Sequence, residues 1–197
     1  MLTEKQYQHF KMFGFVVMRQ VFTPEELSII DKEFTKQLES AYRHAPFDGT
    51  TRHWTTMMGS PTPFFASLLE DPRLCDVAEQ IFGHDVLGIV TDANRYVGST
   101  KWHPDTHSCH QYGVKFAYYL EPVGPETGAL RVIPGSHREP YHSELKQTMG
   151  ELDMDTQDIP AYVCTSEPSD VVAFDLRLWH ASFGGSDDRR MCTCVYY

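Results

Sequence analysis

A nine-residue stretch, WHPDTHSCH at 102–110, concentrates side chains that can bind metal ions. It contains three histidines, one aspartate and one cysteine. His103 and Asp105 are two residues apart, and in an extended segment such side chains point to the same side. Their imidazole nitrogen and carboxylate oxygen can therefore meet at one ion. Two ligands do not make a site, so a third must come from elsewhere in the chain.

His180 is the best candidate for this third ligand. It follows an apolar strand pattern in FDLRLWHAS, far along the chain from the first pair. Two histidines and one carboxylate on one face of a metal leave positions open for substrates, as in the non-haem iron(II) oxygenases. We therefore interpret His103, Asp105 and His180 as the metal ligands and the catalytic centre of an iron site.

A zinc site is the alternative interpretation of the same stretch, with ligands drawn from His103, His107, Cys109 and His110. Structural zinc prefers closed sets of four ligands, usually with paired cysteines. The sequence contains no second pair at zinc spacing, which favours iron. His107 and His110 could equally face a substrate, and His180 alone could be a core histidine.

Length, charge and cysteine content narrow the class of protein. A chain of 197 residues suits one domain, and its net charge of −10 disfavours nucleic acid and anionic membranes as partners. The five cysteines are scattered and contain no CxxC pair, which indicates free thiols in a reducing compartment. No signal peptide or membrane-spanning run is evident. We expect a cytoplasmic protein, and its oligomeric state is left open.

The first part of the chain, about 1–83, shows mainly helical patterns. Thr3 is a plausible helix N-cap, and Thr23-Pro24 starts a second helix with an apolar face. The intervening GFVVM, at 14–18, predicts a short strand. Further helices are predicted over 64–70 and 72–82.

Two segments lack a regular pattern. Residues 43–63 are rich in Gly, Pro and Thr, and predict an irregular loop that could cover a site. Residues 141–160 are polar and predict a second, mobile loop.

From about 84 to 197 the sequence pattern is typical of a β core. Short β-branched or aromatic segments are separated by turn residues, which predicts an antiparallel sandwich or barrel. The segments are DVLGIVTDANRYVG, QYGVKFAYYLEPV, GALRVIPGS, DVVAFDLRLWHAS and RRMCTCVYY. The whole chain is thus expected to be one domain, with a helical N-terminal part and a β core.

The order of these motifs resembles the phytanoyl-CoA dioxygenase family of iron(II)- and 2-oxoglutarate-dependent oxygenases. The resemblance covers most of the chain and is carried by WHPD, EPVGPETGALRVIPGSHR, DVVAFDLRLWHAS and the N-terminal LTEKQYQHFKMFGFVVMRQVFTPEEL. It implies a mainly β fold with flanking helices, a double-stranded β-helix (a cupin-like jelly roll). His103, Asp105 and His180 match the iron ligands of the family.

The resemblance also implies 2-oxoglutarate as co-substrate, with an arginine for its distal carboxylate. Arginine suits this role because its planar fork can bind a carboxylate through two hydrogen bonds. Alignment of RRMCTC with the family pattern favours Arg189, and the short SFGGSDD connection leaves Arg190 as the alternative. Ser182 and Asn94 match positions of two further cofactor contacts.

The expected activity is that of a dioxygenase that uses iron(II), 2-oxoglutarate and O2 to hydroxylate a small molecule, with release of succinate and CO2. The presence of Asp105 argues against halogenation, because related halogenases have a small residue there to make room for chloride. Desaturation or another oxidation stays open. The alternative is a non-catalytic jelly-roll protein that binds a metal or a ligand.

Overall fold

The computed structural model describes residues 1–108, 110–151, 159–185 and 188–197. Its N-terminal part has helices separated by two short strands, and a single 3-10 turn at Leu68–Glu70. The elements are α1 (Glu4–Phe13), β1 (Phe15–Met18), α2 (Pro24–Ala41), β2 (His53–Thr56), α3 (Pro63–Ser67) and α4 (Cys75–Phe82).

The remainder is a set of antiparallel strands with one helix among the described residues. These elements are β3 (Gly88–Tyr96), β4 (Thr100–His103), β5 (Val114–Tyr119), β6 (Leu130–Val132), α5 (Tyr141–Glu151), β7 (Tyr162–Val163), β8 (Val171–Asp175), β9 (His180–Ser182) and β10 (Arg189–Tyr196).

The strands form two sheets that together make a jelly roll. The six-stranded sheet has the order β1-β8-β5-β10-β3-β2, and the four-stranded sheet has the order β4-β9-β6-β7. Successive strands from β3 to β6, and from β7 to β10, alternate between the sheets, which is how a jelly roll is built. The structure therefore agrees with the predicted mainly β fold with flanking helices.

Local sequence signals explain the helix ends. Thr3 and Thr23 each accept a hydrogen bond from the backbone N–H three residues on, and Gln6 and Glu26 complete the two capping boxes. Gly14 ends α1 in the left-handed region, with φ of 82°, a conformation that glycine adopts readily.

Two expectations about loops were wrong in part. Within the predicted loop 43–63, His53–Thr56 form β2, which pairs with β3 at the edge of the large sheet. In the predicted mobile loop, 141–151 form α5, whereas 152–158 lie outside the described residues. Tertiary contacts stabilise α5, because its Leu145 packs with Trp102 and Trp179 against the small sheet.

The hydrophobic core lies mainly between the large sheet and the N-terminal helices, and a second cluster fills the space between the sheets. None of the helices in the described residues has both the length and the apolar character of a membrane span.

Candidate metal centre

A bulge between β4 and β9 brings the two candidate histidines together. Thr100 pairs with Ser182 and His103 pairs with His180, and the register shifts between the two pairs. From Thr100 to His103 the chain advances three residues on β4, whereas from Ser182 to His180 it advances only two on β9. The extra residue of β4 lets Thr100 and His103 face the same side of the sheet as Ser182 and His180.

The three sequence-predicted ligands meet at one point. One ligand atom each from His103, Asp105 and His180 lies within 4.8 Å of the others. The two imidazole centroids are 4.4 Å apart, and Asp105 Oδ1 is 3.9 Å from His180 Nε2. Two nitrogen donors and one carboxylate oxygen on one side of an ion are a donor set that fits iron(II).

The zinc alternative is not assembled in the part of the chain that the structure describes. Among the described residues, the side chains that lie close enough together to share a metal ion are His103, Asp105 and His180. Neither His107 nor His110 belongs to this cluster. Cys109 lies outside the described residues.

Both histidines are held by backbone carbonyl groups of residues two positions earlier. Nδ1 of His103 is 2.7 Å from the carbonyl oxygen of Lys101, and Nδ1 of His180 is 2.8 Å from that of Leu178. A carbonyl oxygen only accepts, so each Nδ1 carries the proton and donates it. Each Nε2 therefore keeps its lone pair for a metal.

Burial also keeps His180 neutral. It lowers the pKa of His180 to about 4, against the opposing attraction of the Asp105 carboxylate. For Asp105, burial raises the pKa, but the attraction of His180 in its protonated form and the charge and hydrogen bond of Lys115 lower it below the ordinary value. At neutral pH the site thus has a neutral His180 imidazole and an ionised carboxylate, as a metal requires.

Arg189 lies in the same cavity, at the start of β10. Its side chain is 2% exposed, and its Nη2 donates to Ser182 Oγ at 2.9 Å. Nη1 donates to the Gly98 carbonyl at 3.3 Å, whereas Nε has no hydrogen-bond partner among the residues that the structure describes. Among the described residues, no carboxylate forms an ion pair with this guanidinium.

Arg190 faces away from the cavity and is already bound. Its Nη1 is 2.5 Å from Asp31 on α2, and its Nε is 3.2 Å from Glu121 just after β5. Of the two arginines that the sequence left open, the structure thus brings only Arg189 to the metal centre.

The cavity that joins the triad to Arg189 is narrow and has walls from both sheets. Ser182 is two residues beyond His180 on β9, a rise of roughly 7 Å. That spacing suits a short dicarboxylate with one end at the metal and the other at Arg189. The lining includes Tyr96, Lys115 and Tyr119 in addition to these residues.

Asn94 is not brought to this cavity. Its Oδ1 accepts hydrogen bonds from Arg52, and its Nδ2 donates to Asp92 at 2.7 Å. Tyr96, two residues further along β3, lines the cavity instead, with its ring 5.0 Å from Arg189 Cζ. The cofactor role of Asn94 therefore stays a prediction.

Sequence reasoning missed Tyr96 and Lys115 as residues that face the metal centre. The signal was strand parity, because Lys115 shares one face of β5 with Ala117 and Tyr119, and all three line the cavity. Parity could not say which face of β5 points inward until its neighbours in the sheet were known.

The chain is similar to known proteins along most of its length. The model of the family described as phytanoyl-CoA dioxygenase matches residues 10–192. An ectoine dioxygenase of Sphingopyxis alaskensis is 25% identical and is aligned over 93% of this chain and 71% of its own length. One from Bordetella bronchiseptica is 24% identical over 70% of this chain, which spans half the length of that relative.

Solved structures share the fold. HygX from Streptomyces hygroscopicus, with nickel and 2-oxoglutarate bound, superposes with a TM-score of 0.80 at 20% identity, over 100% of this chain and 87% of the other. EctD from S. alaskensis with bound iron has a TM-score of 0.76 at 23% identity, over 99% and 76%.

Proposed function

Because the chain belongs to the phytanoyl-CoA dioxygenase family, we propose that it is an iron(II)- and 2-oxoglutarate-dependent dioxygenase that oxidises a small molecule. His103, Asp105 and His180 hold the iron. Arg189, with Ser182 beside it, holds the distal carboxylate of 2-oxoglutarate.

The observation that carries this proposal is the buried charge of Arg189. A guanidinium that is 2% exposed and has no carboxylate partner among the described residues is costly unless an anion binds it. It opens into the same cavity as a triad whose donor set suits iron. A dicarboxylate co-substrate meets both requirements at once.

Bound iron supplies the redox chemistry, in which O2 and 2-oxoglutarate are consumed, the substrate is hydroxylated, and succinate and CO2 are released. The chain supplies position and surroundings. The Nε2 atoms of the two histidines and one oxygen of Asp105 fix the metal, while Arg189 orients the co-substrate. His180, Ser182 and Arg189 are buried, so this side of the cavity is withdrawn from bulk water.

Small molecules are the substrate class that the comparisons support, since the two relatives described above are named ectoine dioxygenase. Hydroxylation is the outcome favoured by an aspartate at position 105. The protein is further proposed to act in the cytoplasm, in keeping with the free thiols of the described cysteines.

An anaerobic titration tests the proposal. Iron(II) and 2-oxoglutarate should give a weak visible charge-transfer band in the wild-type protein, and His180→Ala should abolish it while the protein stays folded. Tight retention of zinc with no such band would support the zinc alternative. A band without succinate formation across a broad panel of small molecules would support a non-catalytic binding protein.

A further inference from the structure

Lys115 is a cation inside the cavity that has no part in the function described so far. It lies on β5, and its Nζ is 2.7 Å from Asp105 Oδ2. Its side chain is 20% exposed, and Nζ lies 5.9 Å from the centre of the Phe174 ring. Lys115 is thus partly withdrawn from water and directed at a metal ligand.

The two oxygens of Asp105 have different partners. Oδ1 faces Nε2 of His180 at 3.9 Å, on the side where the ligand atoms converge. Oδ2 is bound by Lys115 through a charge-assisted hydrogen bond, which is stronger than one between neutral groups. Carboxylates can bind a metal through one oxygen or through both. Here the second oxygen is already taken.

The number of oxygens matters because the coordination positions are few. Two histidines and a two-oxygen carboxylate would occupy four of the six positions of an octahedral ion. Chelating 2-oxoglutarate would then occupy the remaining two, and no position would be left for O2. With a one-oxygen carboxylate, one position stays open after the co-substrate has bound.

We propose that Lys115 is a positioning residue that keeps Asp105 a one-oxygen ligand and so preserves the coordination position that O2 needs. This inference rests on the proposed function. Lys115 acts through Asp105, by holding the oxygen that does not face His180.

Cobalt(II) tests the proposal without turnover, because its ligand-field absorption depends on coordination number and geometry. Lys115→Met removes the charge but keeps the length of the side chain, and Lys115→Arg keeps an ion pair. We expect Lys115→Met to change the cobalt spectrum in the absence of 2-oxoglutarate and Lys115→Arg to resemble the wild type. Lys36→Met, a change at an exposed position on α2, is the matched control and should leave the spectrum unchanged.

Iron(II) gives the second readout. Lys115→Met should still form the charge-transfer band with 2-oxoglutarate, but the subsequent reaction with O2 should be slower by about tenfold or more, the usual effect of losing a partner of a metal ligand. If Lys115→Met does not fold, Lys115→Gln, which keeps a neutral donor, takes its place. It should show the same direction of change.

A cobalt spectrum of Lys115→Met identical to that of the wild type would overturn the inference. If 2-oxoglutarate binding were weakened at the same time, Lys115 would serve the co-substrate instead of Asp105. Failure of the proposed function itself would look different, since the wild-type protein would then lack the charge-transfer band.

Discussion

At the scale of single residues, the adjacent arginines Arg189 and Arg190 have opposite roles. Consecutive side chains on a strand point to opposite faces, so one guanidinium enters the cavity and the other reaches α2. The buried one is left without a counter-charge among the described residues, and the other is bound by two acids.

We predict that Arg189→Gln weakens 2-oxoglutarate binding by at least about thirtyfold. Truncating one partner of a buried charge pair typically costs about 2–5 kcal/mol. Anaerobic titration of the charge-transfer band gives the dissociation constant. Arg190→Gln is the control and should lower stability but keep the affinity. The opposite pattern would assign the carboxylate to Arg190.

A second residue-scale prediction concerns His137 and pH. The His137 side chain is buried, and burial lowers its pKa to about 4. As the pH falls, His137 is therefore protonated in the unfolded chain at a higher pH than in the folded protein. The free energy of unfolding decreases as the pH falls from about 6.5 toward 4. The loss should be on the order of 1–3 kcal/mol.

Urea unfolding at several pH values measures this loss. The His137→Gln variant is the reference, because the acidic groups of the protein still titrate in it. Its stability should fall less than that of the wild type between pH 7 and pH 5. Parallel stability curves for the two proteins would show that His137 is not the group responsible.

At the scale of elements, the segment that leads into β6 lies against the Arg189 side chain and limits where its guanidinium can lie. Gly128 has φ of 82°, and a Cβ added there would lie 1.9 Å from Arg189 Nη1. Glycine is needed at this position because the backbone passes close to the guanidinium.

We predict that Gly128→Ala weakens 2-oxoglutarate binding by about tenfold or more, because the added methyl group displaces the arginine that a bound co-substrate requires. Gly83→Ala is a matched control, since Gly83 has φ of 79° but nothing within 4 Å of the added Cβ. Both variants should lose about 1 kcal/mol of stability through backbone strain. Equal 2-oxoglutarate affinities in the two variants would contradict the role of Gly128.

At the scale of the whole molecule, the N-terminal helices and the β core are one packed unit. The largest hydrophobic cluster joins residues of both parts, from Phe34 on α2 to Tyr196 on β10. Strands β1 and β2 of the first part also extend the large sheet of the second. We therefore propose that residues 1–197 form a single oxygenase domain.

This coupling predicts that ligands stabilise the whole fold. Metal and 2-oxoglutarate at about 100 times their dissociation constants should each add about 2.7 kcal/mol to the free energy of unfolding. Manganese(II), which does not oxidise readily, can replace iron in a thermal melt. His103→Ala should remove the effect of the metal, and a chelator should reverse it in the wild type. A melting temperature that changes with neither the metal nor 2-oxoglutarate would contradict the proposed site.

The sequence by itself determined the family, the jelly-roll class and the three candidate ligands. Family and fold are confirmed by the matching family model and the shared folds of solved structures. The metal-binding residues stay a proposal, although the structure brings them together. The ligand spacing and the succession of short strands follow from local patterns, whereas the family and the jelly roll are what the resemblance of the motifs implies.

Only the tertiary structure decided which faces of the strands turn inward. It placed Arg189 rather than Arg190 in the cavity and directed Lys115 at Asp105. It also made a helix of 141–151, whose apolar face is needed to cover the small sheet. Strand periodicity has two equivalent faces, and only packing against the opposite sheet and the helices distinguishes them.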